Sequence, residues 1–440
     1  MEATSAAILK HRNCSLLILS SFLVCFVIML NIDNNHRHPN LSAVRGLWIA
    51  PITAMSEALT TASDITSTTT NISKAIVVTN SSNKNTGSAT SEGIKKLEMA
   101  QTREKCDIYN GRWVYDQKAH PMYETSRCPF LSNQVTCRKN GRPDHDYERW
   151  RWEAMNCEIP RFNGTDMLER LRGKRVIIVG DSLNRNMWES LACILYSSVP
   201  PERAEINAST GDYKVFKAKD FNCTVEFYWN PFLVQLDKHE RILRLDRLHA
   251  SARRWKGAKI MVFNTGHWWT HVEKMRVWDF MQHGGKMMDD LPLEMAFQLA
   301  MQTWADWVER NVNPAETTVY FRSISPEHKG KQWCYNQTRP MKRGSYKDSF
   351  PRPIVEIAEK TIRDMKAPVK YLNITKLSQY RIDAHSTIYT TKAGKLLTEE
   401  QRRQPYLYAD CSHWCLPGLP DTWNALMYAS FILEGSSDVS

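Results

Sequence analysis

The segment RVIIVGDSLNRNMWESLACIL, from Arg175 to Leu195, constrains the fold more than any other stretch of this chain. Four consecutive β-branched residues, Val176 to Val179, read as a strand buried on both faces, and the run stops at Gly180-Asp181-Ser182. Met187, Trp188, Leu191 and Leu195 then recur at helical spacing, so a buried strand enters a helix through a tight polar turn. The same grammar repeats downstream. Apolar strands at Arg175–Val179, Lys259–Phe263, Thr318–Phe321 and Val369–Leu372 run into GDS, NTGHWW, RSISPEH and NIT respectively. Between the second and third, Phe297, Met301, Trp304 and Val308 share a helical face. Between the third and fourth, Ile354, Ile357, Ala358, Ile362 and Met365 do so after a helix-starting Pro353. Strands alternating with helices predict an α/β fold on a parallel sheet, whose ligands collect at the carboxyl ends of the strands.

Before this core the chain changes character several times. Residues 1–13 read as a cytosolic tail and Cys14–Leu30 (CSLLILSSFLVCFVIML) as a type II signal anchor, with Lys10, His11 and Arg12 on the near flank. A cleaved signal peptide is the alternative. Residues 31–98 are rich in Ser, Thr and Asn without apolar periodicity and read as a disordered stalk. Residues 99–170 read as a Cys- and aromatic-rich N-terminal part of the folded body, 171–434 as its core and 435–440 as a tail. Of the 11 cysteines, nine lie beyond the anchor, and no repeated CxxC points to zinc, so disulfides in an oxidising lumen are expected. Asn-x-Ser/Thr sequons at Asn40, Asn71, Asn80, Asn163, Asn207, Asn222, Asn336 and Asn373 fit a lumenal glycoprotein. The net charge of +11 suits an acidic partner, but no zinc finger, phosphate loop or basic helical block points to nucleic acid.

Two places carry candidate chemistry. Ser182 stands on the strand-to-helix turn, where its own N–H faces an incoming oxyanion at a positive helix end. Read alone, a GDS tripeptide fits a helix N-cap better than a nucleophile. Near the C-terminus, YADCSHWCLPGLPDTWNALMY places Asp410 three residues before His413. That spacing lets a carboxylate orient an imidazole whose other nitrogen faces a distant serine, although most Asp-x-x-His pairs do nothing of the kind.

Together, GDSLNRN and DCSHWCLPGLPDTWN, preceded by CDIYNGRWVYD, CPF and GRPDHDYERWRW, resemble the plant trichome birefringence-like family of polysaccharide O-acetyltransferases, from about Cys106 to Glu434. The resemblance implies a GDSL/SGNH-hydrolase-like core with Ser182, Asp410 and His413 as its triad. It also implies the disulfides Cys106–Cys157, Cys128–Cys193, Cys137–Cys415 and Cys334–Cys411, leaving Cys223 unpaired.

Asn264, after the second strand, and Gly266 are expected to join the Ser182 N–H in an oxyanion hole, with a side-chain cap at the strand end as the alternative for Asn264. Arg185, Asn186, His267, Trp268 and Arg322 are candidate substrate-binding residues; His328 is a further candidate at the cleft. Asp383 and His385 form a second acid–imidazole pair, read as structural or acceptor-positioning. The expected reaction moves an acetyl group through acetyl-Ser182 to a sugar hydroxyl, with xylan as the first candidate and xyloglucan, mannan or pectin as others. It needs an acetyl donor, such as acetyl-CoA or an acetylated carrier, but no bound cofactor and no metal. A Golgi membrane location follows, with other wall-synthesis proteins as partners. An esterase using water on the same triad, and a non-catalytic glycan-binding protein, are the alternative readings.

Overall fold

The computed structural model describes residues 106–118, 121–208, 211–270, 276–289, 291–342, 344–347 and 350–434. The expected cytosolic tail, anchor, stalk and C-terminal tail lie outside them. No helix among the described residues is long and apolar enough to cross a membrane.

Along the chain, β1 (Gly111–Tyr115) and β2 (Trp150–Ala154) pair antiparallel and precede α1 (Gly164–Arg170), β3 (Arg175–Gly180) and α2 (Ser182–Tyr196). Then come β4 (Ala204–Asn207), β5 (Tyr213–Ala218), β6 (Cys223–Trp229), β7 (Val234–Asp237), β8 (Ile242–Leu248) and β9 (Ile260–Phe263). They are followed by β10 (Phe280–His283), β11 (Lys286–Met288), α3 (Leu293–Asn311), β12 (Thr318–Arg322), α4 (Arg352–Asp364) and β13 (Val369–Leu372). After β14 (His385–Thr387) and the short β15 (Thr391–Lys392) and β16 (Lys395–Leu396), the chain runs through β17 (Asp410–Trp414) into α5 (Leu419–Glu434).

The main sheet has the order β13-β12-β9-β3-β6-β5-β4, with parallel neighbours from β13 to β6 and antiparallel ones beyond. The four strands expected from sequence are all parallel members of this sheet, and both expected helices are present. A second sheet, β11-β10-β8-β7, and the run β4–β6 were not expected. Period-two alternation builds three layers. Val176 and Ile178 pack with Met187, Leu191 and Leu195 of α2 and Leu426 of α5. Ile177 and Val179 pack with Phe297, Met301 and Trp304 of α3 and Ile354 of α4 on the other face. Each fully buried aliphatic or Phe side chain contributes about 1.5–3 kcal/mol, so the central strand is fixed from both sides. From β3 the chain reaches β6 on one side and then β9 on the other, which makes the carboxyl end of β3 the switch point where such sheets place their sites.

All four expected disulfides are formed, with Cα–Cα distances of 5.5–5.7 Å. Cys223 is a buried free thiol, which burial pushes up to about 12. Loops of these lengths stabilise by roughly 3–5 kcal/mol per bridge in a chain-entropy treatment. Cys137–Cys415 and Cys334–Cys411 also hold both ends of β17.

Asp421, buried between α2 and α5, accepts from Ser190 Oγ (2.6 Å), Tyr123 Oη (3.0 Å) and the Gly418 N–H (2.9 Å). Burial outweighs these donors and raises its pKa to about 6. The folded protein therefore keeps a proton that the unfolded chain releases near pH 4, so stability is full below that pH and falls as pH rises toward 6. We expect Asp421→Asn to remove a loss of ~3 kcal/mol across this window. Thermal unfolding of wild type and variant between pH 4 and 7 checks it: their difference should grow with pH, and a constant difference would sink the assignment.

Candidate active site

The ambiguity at Ser182 is resolved by its neighbour. Asp181 is the N-cap of α2, its carboxylate accepting from the Leu183 N–H at 2.9 Å, so Ser182 is left in the first turn with its hydroxyl uncommitted to capping. Gly180, at φ 153°, lets the turn close: a Cβ there would lie 1.8 Å from Asn264 Oδ1. Burial opposes charge on Asp181, but His267 (3.7 Å), Arg322 (4.0 Å), the Asn264 amide and the Leu183 N–H together hold its pKa below the usual carboxylate range.

Ser182 Oγ lies 2.7 Å from His413 Nε2, and His413 Nδ1 donates to Asp410 Oδ2 at 2.7 Å. Residues three apart on a regular strand face opposite ways, but β17 carries an irregularity: Thr387 pairs with Asp410 and His385 with Trp414, two residues against four. Asp410 also folds back, its Oδ1 accepting the N–H groups of Ser412 and His413 at 3.0 Å. Burial raises the Asp410 pKa, while the His413 ring and these donors lower it further, so the net position is well below the carboxylate range. An ionised Asp410 fixes the proton on Nδ1 and leaves Nε2 as the acceptor facing Ser182.

The residue that sequence reasoning missed is Gln134. Its Nε2 lies 3.5 Å from Asp410 Oδ2 and 3.2 Å from His413 Nδ1, and its Oε1 accepts from Arg185. The backbone around it is pinned by Ser132 to Glu189, by Asn140 to Asn133 and by Leu416 to Val135. A signal was present: Ser182, Arg185, Asn186 and Glu189 make one polar stripe on an otherwise buried helix, and such a stripe needs a polar cover.

Several expected substrate contacts are placed elsewhere. Asn186 is buried and clamps Trp414, accepting its N–H at 3.0 Å and donating to its carbonyl at 3.2 Å. Arg185 is half-buried and turned onto Gln134. Arg322 is fully buried, donating to Asn184 Oδ1 (2.8 Å) and the Ser323 carbonyl (2.7 Å); burial lowers its pKa to about 10. Neither Asn186 nor Arg322 is open to a substrate, because each neutralises buried polar groups under the site. His267 is buried and donates through Nε2 to the Ser325 carbonyl at 2.9 Å. Trp268 is half-buried, edge-on to Trp229 and Phe232. Asn264 and Gly266 are buried beside the turn; the Asn264 amide takes the Asp181 N–H (3.2 Å) and gives a hydrogen to Asp181 Oδ1 (2.9 Å). Asp383 forms a bidentate pair with Arg381, and His328 and His385 stand behind β17. No cluster of three or more His, Cys, Asp or Glu among the described residues is placed to hold a metal.

A serine in the first helical turn after the central strand, facing an imidazole whose carboxylate partner is three residues away, defines the class of GDSL/SGNH-like serine acyl-esterases. The chain matches the GDSL/SGNH-like acyl-esterase family found in Pmr5 and Cas1p over residues 159–430 and the PMR5 N-terminal domain over 104–158, and it belongs to that family. Among its relatives, the Arabidopsis thaliana proteins trichome birefringence and trichome birefringence-like 1 are 42% and 43% identical over 357 residues, 77% of this chain. A rice protein (Oryza sativa subsp. japonica) named probable xylan O-acetyltransferase 10 is 42% identical over 342 residues, 74% of this chain. The matches span 58% and 63% of the Arabidopsis proteins and 77% of the rice protein.

Gln134→Leu should remove a long 3.5 Å contact to Asp410 and the acceptor of Arg185, together worth ~0.5–1.5 kcal/mol, and slow Ser182 acylation roughly 2- to 10-fold without unfolding the protein. Single-turnover acylation beside circular dichroism checks this. An unchanged rate would leave Gln134 a packing residue only.

Proposed function

We propose that this chain is an O-acetyltransferase of plant cell-wall polysaccharide, xylan first, working through an acetyl-Ser182 intermediate. The observation that carries the reading is the unbroken line Ser182 Oγ, His413, Asp410, with both separations at 2.7 Å. The names of the rice relatives supply the acceptor class.

In the first half-reaction His413 Nε2 takes the Ser182 proton as Oγ attacks the acetyl carbonyl carbon. The tetrahedral oxyanion is held by the Ser182 N–H at the head of α2, by the second hydrogen of the Asn264 amide and by the backbone beside Gly266. The bond to the donor breaks, and His413 returns its proton to the departing donor atom. In the second half-reaction a sugar hydroxyl gives its proton to His413 and attacks acetyl-Ser182. Collapse releases the O-acetyl sugar, and the proton goes back to Ser182. Asp410 stays ionised and steadies the imidazolium at each stage. Water competes at roughly 55 M, so transfer demands an acceptor held in line at the acyl carbon. Trp268, with its partly open face, is the residue we assign to stacking on that sugar. The disulfides and sequons support a Golgi lumenal site behind the Cys14–Leu30 anchor.

The test is to incubate the purified protein with an acetyl donor and deacetylated xylan, xyloglucan, mannan or pectin oligomers. A gain of acetyl mass on xylan that disappears in Ser182→Ala is expected. Release of acetate with no gain on any oligomer would make the chain an esterase, and activity surviving Ser182→Ala would remove the serine mechanism.

A further inference from the structure

Behind β17, a pair of imidazoles touches the catalytic strand and takes no part in the acyl-transfer steps. His328 and His385 are both fully buried, and their rings meet through Nδ1 of His328 and Nε2 of His385 at 2.7 Å. At one end His328 Nε2 lies 2.9 Å from the Gln379 carbonyl. At the other, His385 Nδ1 lies 3.0 Å from the carbonyl of His413, the backbone of the general base itself. The main chain of His328 is tied to the same strand, its N–H donating to the Cys411 carbonyl at 3.2 Å.

The three contacts require more hydrogens than two neutral imidazoles carry. A carbonyl oxygen only accepts, so both end contacts need a hydrogen on the imidazole. The central contact needs one more, because two nitrogen lone pairs facing each other at 2.7 Å would repel. Three hydrogens are needed, and two neutral imidazoles carry two. A neutral pair makes two of the three bonds, and its tautomer decides whether the bond to His413 is among them. A third proton closes all three. The Trp414 ring stacks on His385 at 3.7 Å and 21°, an arrangement that favours a cation, and Asp410 and Glu327 lie nearby.

We propose that His385 is a positioning residue of the active site, fixing the His413 main chain through its Nδ1–H, and that His328 sets the strength of this hold through the number of protons the pair carries. The other groups facing the pair are already matched. Asp383 is paired with Arg381, and Glu327 with Lys329 and Ser412. Arg142 donates to the His385 carbonyl and pairs with Asp144, and the Tyr346 ring stands edge-on to His328. Burial, and for His385 also the neighbouring His328, lowers both imidazoles below the usual histidine range. The neutral pair is therefore the resting state near pH 7, and the third proton enters on the acid side.

The inference rests on the triad reading, so its test uses labelling of Ser182 by a fluorophosphonate, which needs neither acetyl donor nor polysaccharide. His385→Phe keeps an aromatic ring over Trp414 and removes the tether; it should label about 10- to 100-fold more slowly. His328→Gln offers an amide hydrogen to His385 Nε2, so a neutral His385 can hold His413 without a third proton. Its labelling rate divided by that of wild type should exceed one at pH 8 and fall toward one as acid completes the wild-type chain. Nitrogen-15 histidine spectra should show both imidazoles moving together on uptake of one proton. A folded His385→Phe labelling at the wild-type rate, or a ratio independent of pH, overturns the positioning role alone. Wild type that is not labelled at Ser182 at any pH overturns the triad chemistry and this inference with it.

Discussion

The structure depends on one amide. Asn186 sits one turn beyond Ser182 on the same helix and grips both the N–H and the carbonyl of Trp414, the residue after His413. Ser182 and His413 come from chain positions 231 residues apart, yet the helix that presents one holds the strand that presents the other. A hydrogen-bonded contact of 2.7 Å tolerates little drift, and a reciprocal amide–backbone pair one turn away leaves little room for any. Two disulfides, the Asp410 fold-back and His385 act on a strand whose position Asn186 already defines.

The half-buried Asp410 and the buried Asp181 and Asp421 divide their roles by what surrounds them. Asp410 accepts from the His413 ring and two backbone N–H groups, with Gln134 alongside, so it stays ionised despite burial. Asp181 is ringed by Arg322, His267 and Asn264 and stays ionised too, which keeps the turn under Ser182 polar and rigid. Asp421 has donors but no cation, and burial wins. The sign of each shift follows from whether a charge or only a dipole faces the carboxylate.

The sequence made the parallel strands legible because each is a short run buried on both faces and closed by a polar turn. The helices α3 and α4 were legible because their apolar faces repeat over several turns. The small sheet and β4–β6 were not. CTVEFYW in β6 mixes a buried Glu226 with aromatics, and that charge makes sense only once Arg175 is seen across the sheet at 2.7 Å. Ser182 and the Asp410–His413 pair were legible only as separate candidates; joining them as a triad, like pairing the disulfides, came through resemblance to a family. Asn186 and Arg322 were read as substrate contacts because a polar residue near a candidate nucleophile invites it, while the sequence does not say what lies on top of a helix or at a strand end. Here the cover comes from residues 132–135, some fifty positions upstream.

That cover changes what the N-terminal part is for. It has its own antiparallel β1–β2 pair and a disulfide within it, features that suit a separate module. Its 132–137 segment, however, is bonded to α2 through Ser132 and Gln134, to the cis Leu416–Pro417 region through Val135, and to β17's flank through Cys137. Removing it would uncover the polar stripe of α2 and take from Glu189 the Ser132 N–H and hydroxyl it accepts, leaving it Arg185 at 3.8 Å. The core and the Cys-rich part therefore build one candidate site together, and the boundary between them in sequence is not a boundary in the structure.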